Sequence, residues 1–168
     1  TLRKQRISED VYAEQLYCLG KMYHDALIGI ETNYSLHPMR VLSHKYSYPN
    51  LYMRERIDGM TDKVERVYGF ETTRKTKPII ISELVELMEE DPAIECDIET
   101  LKEMTTFVKK ENGSQEAISG AHDDLVMAKA IAHFISKQQI HKWINVENEG
   151  DEFINHNFNV NNNDSGSY

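Results

Sequence analysis

The sequence predicts an α/β domain, and three observations carry that prediction. The short run Ala26-Leu-Ile-Gly-Ile-Glu31 is apolar, extended in character and closed by an acid, as expected of a buried strand. Apolar residues at helical spacing flank it: Tyr12, Leu16, Leu19 and Tyr23 before it, and Ile80, Leu84, Leu87 and Met88 after it. Between Leu125 and Ile135 only Lys129 and His133 break the apolar run, which predicts a helix buried on more than one face.

Taken in order, Ser8 is placed to cap the first helix, with Ile7 before it and Tyr12 at the fourth helical position as a hydrophobic staple. After the strand, a helix is predicted roughly over Leu36 to Lys45, with Pro38 in its first turn, where a missing N–H costs nothing. Tyr48-Pro-Asn50 ends it, and Leu51-Tyr-Met53 reads as a second short strand. Arg54 to Thr76 mixes Gly, Thr and charge, a loop with hairpin character. The helix near Pro78 carries Glu83, Glu86, Glu89 and Glu90 away from its apolar face. Thr105–Val108 and Glu116–Ile118 flank Asn112-Gly113, a dipeptide suited to a tight hairpin.

A chain of 168 residues suits one domain with a real core. It has no apolar signal core and no run of 18 apolar residues, so the sequence predicts neither secretion nor a membrane span. Cys18 and Cys96 lack zinc-type spacing, and a reduced setting is expected. The net charge of −9 argues against a general nucleic-acid coat protein, which needs clustered Lys and Arg, but not against a nuclease that reaches phosphate through a cation. Eight of the last 24 residues are Asn, so residues 145–168 are expected to form a mobile tail outside a domain over 1–144. Two apolar strands alone make no stable central sheet, so the sequence reads as a piece whose leading strands lie upstream of Thr1.

Asp123 and Asp124 sit where a turn hands over to the last apolar helix. One Asp there is ordinarily a cap, accepting from an orphan N–H and facing the positive end of the dipole. A His-Asp-Asp run with a matching acid at Glu31 points instead to a divalent cation held by oxygen ligands.

Three features stand in a row: Glu31-Thr-Asn33 at the strand end, Gly69-Phe-Glu-Thr-Thr-Arg-Lys-Thr-Lys-Pro78 leading into a helix, and Gly120-Ala-His-Asp-Asp-Leu-Val-Met-Ala128 opening the last one. In this order they resemble the C-terminal nuclease domain of bacteriophage terminase large subunits, which cut and package viral DNA. The resemblance covers roughly residues 1 to 137. It implies a ribonuclease H-like fold, a mixed sheet flanked by helices, in which acids converge on two Mg²⁺ or Mn²⁺ ions. Glu31 matches the second-motif acid, and Asp123 and Asp124 match the third. The first-motif Asp of the leading strand has no counterpart here, so the resemblance implies an N-terminally truncated nuclease domain, expected to cut poorly on its own. The resemblance further implies double-stranded DNA as substrate, the terminase small subunit and portal as partners, no membrane, and the cytoplasm of a bacterial host. No glycine-rich phosphate loop occurs, so the ATPase domain is expected upstream. The alternative is a non-catalytic prophage remnant or a module docking DNA or portal.

Arg74, Lys75 and Lys77 form a cationic, hydroxyl-rich loop before a helix, either a DNA-backbone contact or an ordinary solvated loop. His122 either touches the metal site or scissile phosphate, or hydrogen-bonds within its turn. Asn33 either orients a metal-bound water or caps the following helix. The remaining histidines show no convergent spacing.

Overall fold

The computed structural model describes residues 7–57, 59, 62–111 and 113–139. Helix α1 (Glu9–Met22) starts where expected: the Ser8 hydroxyl accepts the Val11 amide at 3.3 Å. Helix α2 (His37–Arg40) continues through a wide π-type turn to Lys45. Strands β1 (Met53–Ile57) and β2 (Val64–Tyr68) form an antiparallel hairpin, which is the hairpin character expected after Arg54. Helix α3 (Thr76–Glu90) is followed by α4 (Ile98–Thr106), a helix that the apolar spacing did not predict. Strands β3 (Phe107–Lys109) and β4 (Gln115–Ala117) form the second hairpin, and α5 (Asp124–Ser136) closes the described chain. Among the described residues this is a mixed α/β arrangement of five α-helices and two small antiparallel sheets. None of these helices is long and apolar enough to cross a membrane. Thr1 to Arg6 and the Asn-rich 145–168 lie outside the described residues.

The 26–31 segment is extended, but it pairs along one edge only. Ile28 bridges Leu51 and Glu31 bridges Phe70, both in the parallel sense. The bonds come from every second residue: Ile28 accepts the Tyr52 amide at 2.9 Å, and Ile30 accepts the Phe70 amide at 2.8 Å. The main-chain groups of Gly29 and Glu31, on the opposite edge, have no hydrogen bond among the described residues. The expected strand is therefore a string of single bridges rather than a ladder.

Alternation along this segment divides the core. Ile28 and Ile30 join Ala13, Met39, Val41, Leu42, Tyr48 and Leu51 on the α1–α2 side. On the other side Tyr52 and Phe70 join Ile80, Ile81 and Leu84 of α3 and Val126, Met127, Ala130, Ile131 and Ile135 of α5, with Leu27 packed against them. Helix α5 is thus buried over several faces, as its composition predicts. A Cβ on Gly29 would run into the Ile135 side chain, so the absent side chain lets the extended segment approach α5. The approach is fastened at one end by Gln139, whose amide oxygen accepts the Leu27 N–H at 2.6 Å and receives the Asn50 side-chain amide at 3.4 Å. With Leu27 and Gly29 on the α5 side, the period of two places Glu31 on that side as well.

Of the expected Tyr12, Leu16, Leu19 and Tyr23 stripe, Leu16 packs on the core, and the other packed residues of α1 are Ala13, Tyr17 and Gly20. Tyr17 stacks on Tyr46 with ring centroids 4.6 Å apart, while Tyr23 is largely in solvent and Tyr12, 38% exposed, lies outside this cluster. The small residues Ala13 and Gly20 let α1 sit close to its neighbours, and that close approach selects the buried face.

Candidate functional site: an acidic cleft beside a basic one

A cavity of about 900 Å³ runs between the open edge of the extended segment, α1 and α5. Glu31, Asn33, Thr72, Lys77, Asp123 and Asp124 line its polar end, and Tyr12, Leu16, Met127, Ile131 and Ile135 its apolar walls. Two elements distant in sequence, the extended segment and the start of α5, therefore bring Glu31 and the Asp pair to one cavity.

The two aspartates stand differently. Asp123 occupies the N-cap position of α5, yet its side chain makes no capping bond. The α5 terminus is served instead by Glu103 of α4, a buried carboxylate that accepts the Leu125 N–H at 2.7 Å. Asp123 is left to face Lys77, whose Nζ lies 3.2 Å from Oδ2, with only 28% of the Asp123 side chain exposed. Asp124 has 76% of its side chain in solvent, and the His122 Nδ1 lies 3.8 Å from its Oδ2. Among the described residues no three His, Cys, Asp or Glu side chains converge as a metal-holding group. The donors are all carboxylate oxygens, the type that Mg²⁺ and Mn²⁺ take, so Glu31 and Asp123, with Asp124 at the rim, fit a hard divalent cation in chemistry.

Asn33 neither caps a helix nor borders the cavity freely. Its side chain clamps the Thr72 main chain, donating to the carbonyl at 2.6 Å and accepting the amide at 2.8 Å. This tethers the strand-end segment of Glu31 to the loop that follows Phe70. The chain reaches that loop from β2 through Gly69, where φ is +83° and a Cβ would meet the Thr32 side chain and lie 2.9 Å from the Ile30 carbonyl oxygen.

The Thr-Arg-Lys-Thr stretch is a reciprocal hydroxyl turn. Thr76 Oγ1 accepts the Thr73 amide at 2.8 Å, and Thr73 Oγ1 accepts the Thr76 amide at 3.0 Å. The pair satisfies orphan donors at the start of α3 and leaves Arg74 and Lys75 exposed at the corner. Neither Arg74 nor Lys75 has a side-chain hydrogen bond or ion pair among the described residues.

A second cavity, of about 650 Å³, lies between this turn and the β3–β4 hairpin, lined by Thr72, Thr73, Arg74, Lys77, Ser114, Gln115 and Glu116 among others. Thr72 and Lys77 border both cavities. Lys77 Nζ also sits 5.6 Å from the Phe107 ring centroid. The Glu116 carboxyl is held below the usual carboxylate range, first by a hydrogen bond from Lys110, with the Lys77 ammonium adding a smaller pull. Thr72 Oγ1 and Gln115 Oε1 are buried without a hydrogen-bond partner among the described residues. Sequence reasoning missed this wall and Glu103; the Thr73–Thr76 spacing was the one readable signal of the turn.

Fold and cavities together define an α/β domain with a carboxylate-lined cleft beside a basic one. No protein-family model matches the chain.

Proposed function

We propose that this chain is the nuclease module of a viral DNA-packaging terminase, a metal-dependent endodeoxyribonuclease that cuts concatemeric double-stranded DNA on a ribonuclease H-like mixed sheet. The observation that carries the reading is the shared cavity of Glu31, Asp123 and Asp124, with Asp123 released from capping duty by Glu103. Glu31 and Asp123, with Asp124, would hold Mg²⁺ or Mn²⁺; when bound, such ions polarise a phosphate and furnish a hydroxide nucleophile. Arg74, Lys75 and Lys77 bind the DNA backbone next to it. Asn33 positions the loop that carries them, and His122 sits at the rim beside Asp124. The same reading brings in the small subunit and portal as partners, an ATPase domain elsewhere, and the host cytoplasm as the place of action.

A second reading, a DNA- or portal-docking module without catalysis, is favoured by the lack of three converging ligands among the described residues. The deciding experiment measures Mn²⁺ binding by the free-ion EPR signal, alongside nicking of plasmid DNA, for the wild type, Glu31→Gln and Asp123→Asn. The nuclease reading expects Mn²⁺ binding that both substitutions weaken, with feeble cleavage by the chain alone. Salt-sensitive DNA binding with no Mn²⁺ uptake would favour docking instead.

A further inference from the structure

Lys77 occupies an unusual place. Its ammonium is 3.2 Å from Asp123 in the acidic cavity, and the same side chain lines the basic one. Glu9, Glu31, Asp123 and Asp124 line the acidic cavity against this single lysine, so Lys77 is its counter-charge. The neighbouring cavity offers Arg74 without a side-chain partner among the described residues, the Thr73 side chain and the unpaired Thr72 hydroxyl, while the Glu116 carboxylate on its wall is engaged by Lys110 and by the Ser114 hydroxyl. That set is cationic and hydroxylic, which is the chemistry of an oxyanion subsite.

We propose that Lys77 couples the two cavities: paired with Asp123 when no divalent cation is present, it is freed for a phosphate oxygen in the second cavity once such a cation is loaded. The idea rests on the acidic cavity being the metal site. Lys77 then competes with the cation in the free protein, since both neutralise the same carboxylate. With DNA present the competition is relieved, because the displaced ammonium gains a new anionic partner. Metal and DNA therefore bind with positive cooperativity, and by linkage each raises the affinity of the other by the same factor.

The experiment titrates Mn²⁺ by EPR into the wild-type chain, Lys77→Met and Lys77→Arg, each with and without a short DNA duplex at constant ionic strength. In the wild type the duplex should raise Mn²⁺ affinity about fivefold or more. Lys77→Met should bind Mn²⁺ more tightly than wild type without DNA, and the duplex should then raise that affinity by a clearly smaller factor than in the wild type, the direct ion–phosphate contact alone remaining. Lys77→Arg, which keeps the charge, should retain the coupling. Equal cooperativity in wild type and Lys77→Met, or Mn²⁺ affinity that falls in Lys77→Met, would overturn the coupling while leaving the metal site standing. The wild-type titrations stand without any variant: Mn²⁺ affinity indifferent to the duplex overturns the coupling. Absence of Mn²⁺ binding in every chain would reject the metal reading and the coupling with it.

Discussion

The carboxylate of Glu103 accepts the main-chain N–H of Leu125 at 2.7 Å, one helix capping another across 22 residues of sequence. A helix N-terminus leaves amides without partners, and a buried anion there also meets the positive end of the dipole. The bond therefore does for α5 what Asp123 would ordinarily do, and it leaves that aspartate available to Lys77.

Replacing Glu103 by Ala strands the Leu125 amide in a buried setting and is expected to cost about 2 kcal/mol of stability. Glu103→Gln keeps an oxygen acceptor and should lose clearly less. Urea denaturation of both variants checks this; equal losses would remove the capping role.

The alkaline limb of the stability profile should be governed in part by Tyr48. Burial, and next the Asp25 carboxylate, push its phenol up to about 12, and the hydroxyl donates to the Ala26 carbonyl at 2.6 Å. The folded state thus holds the proton more tightly than the unfolded chain, whose tyrosines titrate near 10. That contribution is complete below pH 10 and drains away as pH climbs toward 12, by roughly 2 kcal/mol at most. Tyr48→Phe should be less stable at neutral pH, through the lost hydrogen bond, yet show a shallower decline in thermal unfolding measured between pH 9 and 11.

Gly69 combines a left-handed backbone with a crowded Cβ position. An alanine there carries the left-handed penalty and presses on the Ile30 carbonyl, so Gly69→Ala should destabilise by about 2–3 kcal/mol. A melting temperature unchanged from wild type would contradict the described turn.

Reversing charge at Arg74 and Lys75 together tests the proposed DNA contact. Affinity for duplex DNA should fall, and the slope of log K against log salt should become shallower by about two, one for each phosphate no longer neutralised. Both residues are exposed corners of the turn, so circular dichroism should be unchanged. Binding with an unaltered salt slope would assign them to solvent.

Much of the architecture was legible because it is written in short-range patterns. Ser8 caps α1, the apolar run of α5 is buried over several faces, and β3 pairs with β4 as an antiparallel hairpin. Helix α4 escaped because Ile98 and Leu101 are exposed and its buried members are Thr100 and Glu103, so no apolar stripe announces it. Its one local sign was Asp97, which accepts the Thr100 amide at 2.9 Å. At the candidate site, residue types and the strand end were readable, but the division of labour was not. The choice of Asp123 between cap and ion pair is made by Glu103 and Lys77, both remote in sequence, and spacing carries no record of such partners.

The tie between Gln139 and Leu27, 112 positions apart, also bears on how the chain is made. During synthesis the first helix and the central extended segment emerge long before α5, and until Gln139 leaves the ribosome one side of that segment has no cover. The side of that segment facing Ala13, Met39 and Leu42 can pack as soon as Leu51 has emerged, but the side facing α5 stays unprotected until the last described turn arrives, so the two halves of the core mature at different times.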